Sequence, residues 1–305
     1  MSTAELTEVE TARAARPRRR RITPGRVVTH VILFGFLLLF MFPFYWMLSS
    51  ALKPLEDIYS VSIQWWPARP TLRAYGEVLG LLPSKMLEAR GGVSMALTMR
   101  NSLIIASVFT VASVFLASLA GYSFAKLRFK GRNALFLFML ATMMIPNSVG
   151  LIPNYMIMAR LKWVNTWWPL IVPGLASAFS VFWMRQYMTT IPDEMIEAAQ
   201  IDGCGPFGIY YRVVLPVAAP GLAALAIFTF MGSWNAFLAP LIYLSDSKKY
   251  TVPIFLSLVN STFQGQPVPV NLVFAASVIS ILPILAIFIF AQRYFIAGLT
   301  AGSVK

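Results

Sequence analysis

Between Val27 and Leu52 the chain runs for 26 residues without a lysine, arginine, aspartate or glutamate. At 1.5 Å per residue a helix of that length covers about 39 Å, more than the roughly 30 Å of a bilayer's hydrocarbon. Five more runs repeat the pattern near Ser102–Ala125, Ala134–Met158, Thr166–Gln186, Val217–Leu244 and Leu272–Gln292, with charge only at their ends, as at Arg185. Charged residues make up 12% of the chain, about half the share in soluble domains. A soluble core of this size is thereby excluded. The expected fold class is an all-α membrane protein with six transmembrane helices. A cleaved leader is a poor fit to the first run, because the apolar part of a signal peptide is normally about 7–15 residues. The run from 27 to 52 therefore reads as a retained first transmembrane helix, despite Ser49-Ser50-Ala51.

Flanking charge orients the spans. Residues 1–26 carry Arg16, Arg18, Arg19, Arg20, Arg21 and Arg26 with no apolar periodicity. They read as a basic, disordered tail on the cytoplasmic side. Four cations between Lys126 and Arg132 place the loop after the second span on the same side. Both termini are then cytoplasmic and the chain is multi-pass in the cell (plasma or inner) membrane. Residues 53–97 form an extracytoplasmic loop with short surface helices, and Trp65-Trp66 mark the interface. Residues 98–293 form the transmembrane core, and 294–305 a cytoplasmic tail. Pro146 and Pro153 predict a break in the third span near Asn147-Ser148. Residues 245–271 are external and either re-entrant or surface-lying.

The net charge of +13 lies in patches beside apolar runs, which suits anionic lipid rather than nucleic acid. One cysteine, Cys204, and one histidine, His30, exclude an intrachain disulfide and leave no metal cluster. No lysine, arginine, aspartate or glutamate lies within a span away from its ends to bind a coupling ion or proton, as ion-driven carriers usually require. The energy for any transport must come from outside the chain.

One polar interval, 190–220, separates the fourth and fifth spans. It holds Asp193, Glu194, Glu197 and Asp202 against Arg212. Pro192 starts a helix, Asp193 and Glu194 suit its first turn, and the helix runs to about Ile201. Gly203 and Gly205 end it, and Pro206 opens a second short helix toward Leu215. Asp193, Glu197 and Gln200 share one face, while Met195, Ala198 and Ala199 form a low-profile one suited to a protein groove. Acidic residues do not favour anionic lipid; on pattern alone a solvated connector fits equally well.

Glu197-Ala198-Ala199, Gly203 and Leu215-Pro216 resemble the EAA loop of permease subunits in binding-protein-dependent ABC importers, with Val213 where isoleucine is usual. Tyr122–Arg132, Ile145-Pro146, Ile191–Glu194, Gly232-Ser233-Trp234-Asn235 and the ending Gln292–Phe295 with Gly298–Gly302 are similar to the maltose-transporter G-type carbohydrate permeases. The resemblance implies a type I importer fold and a non-catalytic permease. Its implied partners are a second homologous permease, two copies of a cytoplasmic ATPase that bind the ATP and Mg, and an extracytoplasmic solute-binding protein. It also implies that Glu197, Ala198, Ala199, Asp202, Gly203, Leu215 and Pro216 belong to an ATPase-coupling loop, and that the tail from Gly298 reaches the ATPase dimer. No phosphate-binding loop of the Gly-x-x-x-x-Gly-Lys-Ser/Thr kind occurs in this chain, so it carries no cofactor of its own.

Candidates for the solute pathway are Asn147, Ser148, Asn154 and Tyr155 at the broken third span, and Trp234-Asn235 in the fifth, because sugars favour amides and aromatic faces. Helix packing is the competing role for each. The expected solute is a carbohydrate, an oligosaccharide by preference; glycerol-3-phosphate or another small solute in the same architecture is the alternative, and a lone ion-coupled carrier the rival from another class.

Overall fold

The computed structural model describes residues 24–60, 63–88, 91–146, 148–261 and 268–301. The expectations for the tail before Pro24, for Asn147 and for residues 302–305 lie outside them. Every regular element among the described residues is helical. The chain divides into an N-terminal unit ending at Trp46 and a larger unit from Met47 onward.

Helix α1, Pro24–Ala51, begins in the first unit. From Val27 to Tyr45 its large apolar side chains are exposed on every side, between 41% at Tyr45 and 66% at Leu39. A helix apolar all round needs a non-aqueous solvent.

Two more helices are long and apolar enough to cross a bilayer unbroken: α2, Met95–Lys126, and the part Val270–Phe290 of a C-terminal helix. The expected third span instead forms α3, Arg132–Thr142, and α4, Leu151–Arg160. Pro146 sits between them, where its missing N–H and ring stop a continuous ladder. The expected fourth span is also interrupted, a correction to the reading of one helix over 166–186. A turn at Trp168–Ile171 gives way at Val172, Pro173 and Gly174 before α5, Ala178–Thr189. A Cβ on Gly174 would lie 2.7 Å from the Phe109 ring, so only glycine lets the chain pass α2 this closely. Ser177 restarts the ladder, its Oγ accepting from the Ser180 amide at 3.3 Å.

The acidic interval holds α6, Asp193–Ile201. Beyond it, Pro206–Val217 and α7, Ala219–Trp234, are together apolar enough for a span but meet at 76°. The fifth span was expected to run to Leu244, yet α7 stops at Trp234, and a separate turn covers Leu238–Tyr243. Residues 245–271 contribute α8, Val252–Val259, whose Val252, Ile254, Phe255 and Val259 are buried. The C-terminal helix α9, Val270–Ala301, does not end at Arg293 but continues eight residues further.

Within the larger unit α2 is the common wall of two cores. One, at its N-terminal end, joins Met95 and Ala106 to Val78, Phe230, Trp234, Phe255 and Leu272. The other, at its C-terminal end, joins Ala117 and Tyr122 to Met184, Ile196, Ile209 and Leu225. Small residues set the close crossings, as between helices in lipid. A Cβ on Gly121 of α2 would lie 2.6 Å from the Met184 Cβ of α5. One on Gly221 of α7 would lie 2.5 Å from the Tyr187 ring of α5. Polar links replace water near the N-terminal end of α2: Asn101 Nδ2 donates to the carbonyls of Lys248 and Tyr250, and the Ser102 Oγ accepts from the Val252 amide.

Candidate functional site

The acidic loop is fastened at both of its ends and presents its middle. Pro192 stands just outside α6, with ψ of 137°, which leaves Asp193 and Glu194 in the first turn, where the helix dipole favours carboxylates. Lys126, the last residue of α2, donates from Nζ to Asp193 Oδ1 at 2.6 Å and to the Ile191 carbonyl at 2.5 Å. Its side chain is 5% exposed, against 74% for Asp193. The hydrogen bond from Lys126, then its charge, holds the Asp193 carboxyl below the usual carboxylate range, with Arg128 adding to the pull.

At the other end of α6 the Gly203 amide donates to the Gln200 carbonyl and the Cys204 amide to that of Ala199. Gly203 has a φ of +81°. These two bonds and the left-handed glycine make a Schellman cap, which closes the helix and turns the chain sharply. The next piece starts at Pro206, then widens into a π-turn over Tyr210–Val214, where the Leu215 amide donates to the Tyr210 carbonyl. Pro216 explains the widening. It has no amide to bond to Arg212, and its ring would strike that carbonyl in an α-helix. Two tyrosines bind this piece to α2: Tyr122 Oη donates to the Pro206 carbonyl at 3.1 Å, and Tyr210 Oη pairs with Ser118 Oγ at 2.6 Å. Their rings lie 5.4 Å apart.

The face that looks outward differs from the expected one. Ala198 is exposed, but Ala199 is 8% exposed and packs beside Ile196 into the core at the C-terminal end of α2. One residue apart on a helix is about 100° of rotation, so the two alanines cannot share a docking face. Glu197, Asp202, Gly203 and Pro216 are exposed, and Leu215 is half-buried. Beside them stand Ile201 at 87% and Phe207 at 81% exposure, with Tyr211 at 71% and Met195 at 41%. Ile201 and Phe207 were not among the sequence candidates, although two large apolar residues flanking a glycine turn in a charged loop are a readable signal. Lys126, Tyr122 and Tyr210 were also missed as partners of this loop, since their contacts are distant in sequence.

The pathway candidates do not converge. Ser148 and Asn154 are exposed. Tyr155 is 38% exposed and stacks on Tyr243, centroids 5.9 Å apart. Trp234 is 2% exposed and stacks on Phe230 within the core at the N-terminal end of α2, so it offers no face to a solute, while Asn235 beside it is exposed. A cavity of ≈ 680 Å³ lies elsewhere, between α2, the two helix interruptions and the last turn of α7, with Ser113, Ser180, Thr229 and Ser233 on its walls.

Residues 113–300 match the family described as the binding-protein-dependent transport system inner membrane component. The arabinooligosaccharides transport system permease protein AraQ of Halalkalibacterium halodurans is 42% identical over 205 residues, covering 67% of this chain and 72% of that protein. The AraQ protein of Bacillus subtilis is 34% identical over 268 residues, covering 88% and 92%. The fold is similar to a chain in the crystal structure of a bacterial ABC transporter involved in the import of the acidic polysaccharide alginate, with TM-score 0.76, 22% identity, and coverage of 92% of this chain and 99% of that one. The matched region runs from the middle of α2 through the acidic loop and α7 into α9, and the chain belongs to the family of binding-protein-dependent transport system inner membrane components.

Proposed function

We propose that the chain is the permease subunit of an ATP-driven importer that moves a carbohydrate across the cell membrane, with six spans and both termini in the cytoplasm. The kinship with two permeases named for arabino-oligosaccharide transport supports an oligosaccharide as the solute. In this reading the chain catalyses nothing. A second homologous permease completes the path, a solute-binding protein delivers the sugar, and two copies of a partner ATPase bind ATP and Mg.

The observation that carries the reading is the construction of the acidic loop. Its helix is capped at Gly203, tied to α2 through Lys126, and crowned by exposed Ile201 and Phe207. An exposed apolar pair, one residue at the end of α6 and one just past the glycine turn, fits a groove in a partner better than water. Closure of the ATPase dimer would then move the seated loop, and with it α2, α5 and α7. ATP supplies the differential stabilisation of two states that any switch requires. Tagging this chain and purifying it tests the reading: a second permease and an ATPase come down with it, and the assembly in liposomes shows vanadate-sensitive uptake of an arabino-oligosaccharide. Uptake by this chain alone would instead establish a lone carrier, and uptake of glycerol-3-phosphate in place of the sugar would change the solute.

A further inference from the structure

The cavity beside Ser113 gathers helix ends. The C-terminus of α3 at Thr142, the N-terminus of α5 at Ala178 and the last turn of α7 at Gly232-Ser233 all reach its wall. Interrupted backbone at membrane depth persists only where it is buried in protein or lines a watery cavity. The ends offer both hydrogen-bonding senses. First-turn amides of α5, at Ala178 and Phe179, lack acceptors within their helix, whereas the carbonyls of Leu140, Ala141 and Thr142 in α3 and of Met231 and Ser233 in α7 each accept one amide from the residues that follow and keep a second lone pair. No lysine, arginine, aspartate or glutamate lines the cavity among the described residues.

Ser113 is the second, independent sign of a ligand. It is fully buried, lines the cavity, and its Oγ has no hydrogen-bond partner. Helical serines usually return their hydroxyl to a carbonyl one turn back, as Ser118, Ser123 and Ser277 do here. Leaving a buried hydroxyl unpaired is unfavourable, and a group entering the cavity would pair it.

We propose that this cavity is a solute-contact site for an uncharged, hydroxyl-bearing part of the transported molecule, with Ser113 as its innermost polar contact. The inference rests on the carbohydrate reading above and narrows it. A sugar hydroxyl both donates and accepts, so it can serve the amide end of α5 and the carbonyl ends of α3 and α7 together. A carboxylate or phosphate could use only the first and would face the carbonyls without a cation to offset them. The site therefore favours neutral over acidic sugars.

The test uses the whole transporter, purified through this chain with its partners and reconstituted with its solute-binding protein. Ser113→Cys is treated with a small water-soluble methanethiosulfonate, and peptide mass spectrometry separates modification at 113 from that at Cys204. Modification is expected in at least one of the resting and vanadate-trapped states, slowed about 5-fold or more by arabinotriose and not by an alginate trisaccharide. Ser113→Ala should lower the efficiency of arabinotriose uptake by about 2- to 10-fold, the worth of one hydrogen bond. Should Ser113→Cys fail to assemble, Ser233→Cys on the opposite wall reads the same cavity. An unreactive cysteine in both states, or protection by the alginate trisaccharide alone, overturns the site. Wild-type uptake of arabinotriose with an unprotected cysteine overturns the site and spares the carbohydrate reading; no uptake of either sugar removes that reading and the site with it.

Discussion

Replacing Ile201 and Phe207 with alanine should loosen the partner ATPase without disturbing the permease. Both side chains project from the acidic loop, at 87% and 81% exposure, so they contribute little to the fold of this chain. Exposed substitutions of this kind usually change stability by no more than about 0.5 kcal/mol. In a partner's groove the balance shifts. Ile201→Ala deletes three carbon atoms, worth about 0.8 kcal/mol each when buried, or roughly 2.4 kcal/mol. That is a roughly 50-fold weaker association at this residue alone. Phe207→Ala removes a larger surface and should cost at least as much if the ring is seated as deeply. The assay is titration of the purified ATPase onto the permease pair in nanodiscs, with thermal unfolding of the permease as control. Unchanged affinity for both single variants would refute the assignment of this face to the ATPase, and an equal fall in thermal stability would show that the side chains serve the permease's own fold.

Other positions test the construction of the same region. Gly203→Ala meets no atom within 4 Å, so its whole effect comes from the φ of +81°, worth about 1–2 kcal/mol; uptake should fall while membrane insertion, read by protease protection, stays normal, and Gly203→Pro should be more severe. Because the Asp193 carboxyl is held below its ordinary range, its tie to Lys126 is complete above the unfolded value of about 3.9 and is lost as pH falls through the lower, folded value. Coupled uptake should accordingly show no pH dependence from this pair between pH 5 and 8, and Lys126→Met should abolish the low-pH change in hydrogen exchange at the start of α6. Gly121→Ala should force α2 and α5 apart at Met184 and destabilise the permease by about 1–3 kcal/mol, measured by thermal unfolding in detergent.

What was legible in the sequence follows the range of the forces involved. The span of α6 and its stop at Gly203 were readable, because proline, acidic first-turn residues and a left-handed glycine act within a few positions of themselves. The break at Pro146 was readable for the same reason. The interruption at Val172–Ser177 had a local signal too, in Pro173-Gly174, but an unbroken apolar run outweighed it; only the approach of Gly174 to the Phe109 ring, 65 residues away in sequence, was out of reach. The burial of Ala199 was not legible either, since an alanine-alanine pair leaves it ambiguous until α6 is docked on the core at the C-terminal end of α2. Trp234 and Asn235 looked like a pathway pair, but packing on Phe230 takes the tryptophan and leaves the asparagine exposed. Lipid also erases the usual signal for facing: α2 has apolar residues toward both protein and solvent, so hydrophobic pattern alone could not tell the two apart.

The acidic loop and the Ser113 cavity share their walls, and this bears on how force would travel between them. α2 carries Ser113 on the cavity and, five residues on, Ser118, which holds Tyr210 of the loop. It then carries Tyr122 and Lys126, which hold Pro206 and Asp193. A loop joined to its helices only at its ends could absorb a push by bending. Here three polar links along two turns of one helix leave little slack. The Tyr210–Ser118 pair is the link nearest the cavity, and Tyr210→Phe removes its donor while keeping the ring against Tyr122. With one buried hydrogen bond lost, the expected destabilisation is only about 0.5–1.5 kcal/mol. If the link transmits motion, sugar moved per ATP hydrolysed should fall while ATPase association stays intact. If it serves only the fold, uptake and hydrolysis should fall together in proportion to the amount of assembled complex. A ratio of uptake to hydrolysis equal to that of the wild type would therefore show that the lever does not run through this pair.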